Sequence, residues 1–185
     1  MTAILVRGAN VPLRDSGGRD VKGLVLGVGW GGASVDVNLF AILCGHDRRV
    51  RGDGDFLFWG QTIAREDSAF VLDVGTRSGP SPDQGQVVID LSAVGDDVHY
   101  IHVVVATLED GGTLKSLGGL QARAVDAHTG EILAMYDNPG GYNIESCVVI
   151  WEVYRRQGQW KLRAVDQGWR DGMSALANTY GVEVT

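Results

Sequence analysis

Apolar residues in this chain come in short runs broken by glycine and polar residues. Residues 21–30, 34–44, 56–59, 86–91, 98–107, 120–125, 131–136, 147–154 and 160–165 are rich in Val, Ile, Leu and aromatic side chains. Such runs, bounded by turn residues, read as strands. The run 98–107 is nearly continuous rather than alternating, as expected of a strand covered on both faces. Asp126-Ala127-His128-Thr129-Gly130 and Arg155-Arg156-Gln157-Gly158-Gln159 each separate two runs and predict hairpin turns. Roughly ten strands at regular spacing predict an all-β protein, a sandwich or a barrel. One helix is predicted, at the C-terminus. Met173, Leu176, Ala177 and Tyr180 fall at i, i+3, i+4 and i+7, with Asp171 placed to cap the start and Gly181 to end it. Its apolar stripe is expected to lie over an open end or edge of the sheets. No linker, repeat or low-complexity tract interrupts residues 1–185, which predicts a single domain.

Composition supports this reading. Glycine is the outlier, with 27 residues against 4 prolines, many of them paired between β-branched runs, as at Gly31-Gly32 and Gly118-Gly119. With 44% hydrophobic and 21% charged residues, the 185-residue chain is globular in character and long enough for a substantial core. The formal net charge of −7, without a basic block, argues against nucleic acid as a partner. No apolar run reaches membrane-spanning length. The first residues, Met1-Thr2-Ala3-Ile4-Leu5-Val6-Arg7, do not read as a signal peptide, so a cytoplasmic location is expected. Cys44 and Cys147 sit inside apolar runs and are expected to be buried free thiols, unless their strands prove to be neighbours.

Most candidate chemistry dissolves on inspection. Gly27-Val28-Gly29-Trp30-Gly31-Gly32 matches a dinucleotide fingerprint in form, but a strand-like run follows where a helix is required. His99 and His102 are an odd number apart and would face opposite sides of a strand, so they make no ligand pair. No nucleophile elbow, P-loop or zinc spacing occurs. No enzyme is predicted. The acidic loops differ. Asp53-Gly54-Asp55 precedes an aromatic run, Asp36 and Asn38 share a strand face or strand end, and Asp73 and Asp83 bracket a polar loop. Loops converging at one end of a sandwich could gather the roughly six to eight oxygens that calcium takes.

The chain resembles the TerD family of bacterial tellurium-resistance and stress-response proteins. The residues that carry the resemblance are spread over nearly its whole length. Near the end they are Glu152-Val153-Tyr154-Arg155, Gly158-Gln159-Trp160-Lys161-Leu162-Arg163-Ala164-Val165, Gln167-Gly168-Trp169 and Tyr180-Gly181-Val182. Earlier ones are Gly8-Ala9-Asn10, Gly27-Val28-Gly29-Trp30, Asp53-Gly54-Asp55-Phe56-Leu57-Phe58, and Thr129-Gly130-Glu131 with Tyr136-Asp137. The resemblance implies a two-sheet β-sandwich with calcium in acidic loops at one end. It also implies a cytoplasmic role in tolerance of tellurite and other chemical stress, within complexes at the inner membrane surface.

Carried over motif by motif, the acids are eroded. The family's Asp-Leu-Asp stands here as Asp36-Val37-Asn38, and its Ser-Asp-x-Asp-Phe keeps Asp53 and Asp55. Its Gly-Asp-Asn-x-Thr-Gly falls on Val74-Gly75-Thr76-Arg77-Ser78-Gly79, without the aspartate or the asparagine and with the added positive charge of Arg77. Of the acid-rich run that follows, Asp83 remains. The expectation is therefore at most one weak calcium site drawn from Asp36, Asn38, Asp53, Asp55 and Asp83. The alternative is a metal-free sandwich serving as an interaction module in a larger complex of stress-response proteins. Self-association is left open.

Overall fold

The computed structural model describes residues 1–32, 36–72 and 83–183. Among them are two six-stranded sheets packed face to face, with one short helix at the C-terminal end. The two-sheet sandwich expected above is thus what the chain forms.

The first sheet contains β1 (Ala3–Ile4), β3 (Gly23–Trp30), β6 (Ala69–Leu72), β7 (Gly85–Asp90), β9 (Leu120–Asp126) and β10 (Ile132–Asn138), ordered β1-β10-β9-β3-β7-β6. The second contains β2 (Asn10–Pro12), β4 (Val37–Cys44), β5 (Phe56–Leu57), β8 (Tyr100–Thr107), β11 (Cys147–Arg156) and β12 (Gln159–Trp169), ordered β2-β12-β11-β8-β4-β5. All pairings are antiparallel except β1 with β10. The β11–β12 hairpin closes on Gln157 and Gly158, both at positive φ (51° and 75°), the backbone a two-residue hairpin turn demands.

Alternation along the strands builds the core. Leu24, Leu26 and Val28 of β3 face Leu39, Ala41 and Leu43 of β4, and all six are buried in one cluster. The opposite face of β4 carries Phe40, Ile42 and Cys44. Together with Val104, Ala106, Cys147 and Val149 these form a second buried cluster. The helix α1 (Gly172–Thr179) covers it with Met173 and Leu176. The helix therefore lies on the outer face of the second sheet, not over an open end. That is why β8 is buried almost throughout: one face meets the core and the other meets α1 or its neighbours. Asp171 precedes the helix as expected but makes no side-chain cap bond.

Strands β1, β2 and β6 were not legible in the sequence. Each has two to four residues, too few to show a period. Two of them close one open side of the sandwich. Residues 1–12 pass from a parallel pairing with β10 to an antiparallel pairing with β12. On the other side, bridges Phe58–Gln61 and Ile63–Phe70 carry the chain from β5 to β6.

The cysteines stand at opposite ends of β8. Cys44 pairs across from Tyr100 and Cys147 from Ala106, six residues or about 20 Å apart, far beyond disulfide reach. Burial pushes the Cys44 thiol up to about 12 and the Cys147 thiol up to about 11.

Candidate functional site

The five predicted cation ligands are dispersed. In the β4–β5 register Phe56 stands opposite Ile42 and Leu57 opposite Ala41. Asp55 is therefore abreast of Leu43, at the carboxyl end of β4. Asn38 is five residues away along the same strand, about 17 Å. The expected grouping of Asp36 and Asn38 with Asp53 and Asp55 does not occur. No group of three or more His, Cys, Asp or Glu placed to hold a metal ion is found among the described residues.

At the carboxyl end of β4, Asp53–Asp55 is a short 3-10 turn that swings Asp55 into the interior. Its carboxylate is fully buried and already has a cation. Arg51 donates to Asp55 Oδ2 from its backbone N (2.9 Å) and Nε (2.8 Å), and to Oδ1 from Nη2 (2.7 Å). The same guanidinium donates to Asp97 Oδ1 at 2.7 Å and lies 4.0 Å from Glu66. These bonds raise the Arg51 pKa, the Asp55 bond contributing most, and the Arg51 bond holds Asp97 below the usual carboxylate range. Glu66 and Asp67 both sit at positive φ (62° and 52°), a costly backbone for non-glycine residues that turns Glu66 toward the cluster. Asp53 points to solvent.

Asp83 is also inside, on the outer face of the first sheet. Arg123 of β9 grips it with Nε on Oδ1 and Nη2 on Oδ2, both at 2.8 Å, and Gln86 of β7 donates to Oδ2 at 2.9 Å. Between those two strands lies Gly27, paired with both Gln86 and Arg123. A methyl group there would stand 2.1 Å from Asp83 Oδ2, so glycine is required for the carboxylate to settle on the strand. Gln84 completes the latch: its N–H donates to the Val28 carbonyl, and the Trp30 N–H donates to its side chain. The glycine run that imitates a nucleotide fingerprint is thus part of a strand, and the next described element is β4, not a helix. Beyond Gly27 the bare backbone at Gly29 and Gly31 floors a groove of about 480 Å³ edged by Gln121, Asp137 and Pro139.

Asp36 and Asn38 form the remaining pair. They share the outer face of β4, as the spacing predicted, with Asn38 Nδ2 at 3.4 Å from Asp36 Oδ1. Asp36 is exposed and makes no ion pair among the described residues. Asp73 and the eroded motif at residues 74–79 lie outside the described residues.

The sequence reading did not mark Asp166 as a buried carboxylate. Val149 pairs with Gln167 and Trp151 with Ala164, so Val165 and Asp166 together oppose Ile150 in a bulge. Asp166, at φ 47°, turns inward and accepts bonds from Tyr136 Oη, Tyr142 Oη (2.6 Å) and Asn138 Nδ2 (3.2 Å). Burial, reinforced by Asp166, raises both tyrosine pKa values. The carboxylate is satisfied on every side and fastens the 138–142 turn to the second sheet. Nothing in a strand-like sequence marks an aspartate as a bulge residue.

Comparison with known proteins agrees with this architecture. Residues 1–180 match the TerD domain model. The chain is 29% identical over 194 residues to tellurium resistance protein TerD of Serratia marcescens, covering all of both chains. It is 26% identical over 193 residues to general stress protein 16U of Bacillus subtilis, again over both full lengths. A crystal structure of a homologue of telluride resistance protein TerD from Streptomyces coelicolor superposes with a TM-score of 0.65 at 11% identity, over 89% of this chain and 99% of that one.

Proposed function

Because the chain belongs to the TerD family, we propose that it serves in tolerance of tellurite and other chemical stress as a non-enzymatic binding protein. In this reading it holds at most one weak calcium ion, at the mouth formed by Asp36 and Asn38. One observation carries the placement: of the five candidate ligands, the two that are buried, Asp55 and Asp83, are each chelated by an arginine. Arginine supplies the positive charge that a metal would otherwise bring. Removing it from a buried carboxylate would cost several kcal/mol before any ion bound. Asp36 carries no such counter-charge among the described residues.

The mouth fits a hard cation only loosely. It offers one carboxylate and, after rotation of the amide, the Asn38 carbonyl oxygen; backbone carbonyls and water would supply the rest. So few charged ligands place the affinity in about the millimolar range. Thermal denaturation with and without calcium tests the reading. An upward shift of a few degrees that grows only at millimolar calcium is expected, because a ligand of the native state stabilises it by mass action. An unchanged midpoint at that concentration removes the cation and leaves the metal-free interaction module, which the two internal arginine pairs favour. No helix among the described residues is long and apolar enough to cross a membrane. The partners this reading requires are other proteins of a stress-response complex, whether or not they sit at a membrane surface.

A further inference from the structure

We propose that the outer face of the second sheet, beside the carboxyl end of α1, is a docking surface for an acidic segment of a partner protein. The surface is organised around Glu152. This buried carboxylate accepts Arg48 Nη1 on Oε2 at 2.7 Å and Arg163 Nη1 on Oε1 at 3.0 Å. Each guanidinium lies over an aromatic ring: the Arg48 Cζ is 4.0 Å from the Tyr100 ring centre and the Arg163 Cζ 4.8 Å from that of Tyr154. The arginine side chains are nevertheless 50% and 35% exposed. One buried negative charge thus fixes two positive charges side by side and leaves an excess of one toward solvent.

The strand registers extend the field. Lys161 stands opposite Tyr154, and Arg156 is two residues beyond it on the same face. Four cations therefore share this face with Glu152, in a chain whose formal net charge is −7. The Tyr154 hydroxyl, beneath Arg163, is buried without a hydrogen-bond partner among the described residues.

Three physical arguments choose the occupant. Guanidinium forks match carboxylates in two-point contacts, and rings beneath them remove much of the side-chain entropy that binding would otherwise cost. The patch is small, and the acidic remainder of the molecule repels any polyanion that extends past it, which disfavours a bilayer or a nucleic acid. A short acidic segment fits inside the favourable region, because screening confines the repulsion to roughly one Debye length, about 8 Å at physiological salt.

The test is fluorescence anisotropy of a fluorescein-labelled oligoglutamate peptide titrated with the full chain. Binding is expected at low salt, weakening as salt rises. The pair Arg163→Gln and Lys161→Gln should reduce affinity by about tenfold or more with the fold intact by circular dichroism. Should Arg163→Gln fail to fold, Arg156→Glu with Lys161→Glu makes the same test, since neither residue bonds Glu152. No peptide binding by the native chain overturns the proposal, as does equal binding by the variants. Binding to phosphatidylglycerol vesicles or to duplex DNA in preference to the peptide also overturns it. Chelation of calcium should leave peptide affinity unchanged, because the surface lies toward the end of β4 away from Asp36. The two readings therefore fail separately.

Discussion

At the carboxyl end of β4 the Asp55 carboxylate is sealed from water and gripped by Arg51; at the amino end Asp36 stands in solvent beside Asn38. In sequence the two acids look equivalent, each in a pair of oxygen-bearing side chains two residues apart. In the fold one is a strut and the other is available. The difference lies in where the chain supplies its own counter-charge. A buried carboxylate needs permanent partners, which the chain supplies to Asp55 as an arginine and to Asp166 as neutral hydroxyl and amide donors. A carboxylate left at a loop mouth can wait for an ion from solution. Asp83 belongs with the first kind, since Arg123 and Gln86 hold it over Gly27.

The largest way to break the comparison is to take the internal cation away. Arg51→Met leaves Asp55 buried without the cation that bonds it, and Asp97 loses its bonded partner as well. A loss of about 3–5 kcal/mol in urea-denaturation stability is expected. Asp55→Asn added to Arg51→Met should recover part of it, because the uncompensated charge is then gone. A loss below about 1 kcal/mol for the single variant would show that Asp55 does not depend on Arg51.

The closed end should also answer to acid. His102 pairs with Ile42 near that end, beneath the Tyr180 ring, and neither ring nitrogen has a hydrogen bond among the described residues. Burial, aided by the positive charge of Arg48, pushes its pKa from 6.5 down to about 3. Glu152 lies 3.8 Å away but is already held by Arg48 and Arg163. The sign follows directly. The unfolded chain takes up a proton below its pKa of about 6.5 while the folded chain does not. This contribution to stability is therefore complete above that value. It is lost progressively as pH falls toward about 3, with no further loss below. By about pH 5 the loss is about 2 kcal/mol. His102→Leu should flatten the acid limb of the stability profile by that amount. A variant that keeps the native slope would assign the acid sensitivity elsewhere.

Much of the fold was readable because the long strands carry it. The β11–β12 hairpin, the buried β8 and the helix stripe all express their positions through period or turn residues. What could not be read was contact at a distance. Arg51 sits four residues from Asp55, but nothing in that spacing says the turn folds the pair inward. Arg123 is 40 residues from Asp83, and only the β3–β9 register brings it there. Gly27 was visible as an oddity, yet its reason is a carboxylate from the segment just before β7. The roles of the acids depended on which strand end each occupied. The spacing of Asp53 and Asp55 could not show that they and Asp36 cap opposite ends of one strand.

The smallest expected effect is the sharpest test of the open end. Asp36 is exposed and paired with nothing cationic among the described residues, so Asp36→Ala should change calcium-free stability by no more than about 0.5 kcal/mol. The same holds for Asn38→Ala. If calcium sits at this mouth, either variant should abolish the midpoint shift seen at millimolar calcium. Asp53→Ala, exposed at the other end of β4, should leave that shift intact. A shift that survives Asp36→Ala but vanishes with Asp53→Ala would reverse the assignment. The ion would then belong beside Asp55, and Arg51 would have to share that carboxylate with a metal. Persistence of the shift in all three variants would place the cation away from both ends of β4. In that case the contrast between the ends would remain one of burial and internal charge, with no bearing on metal.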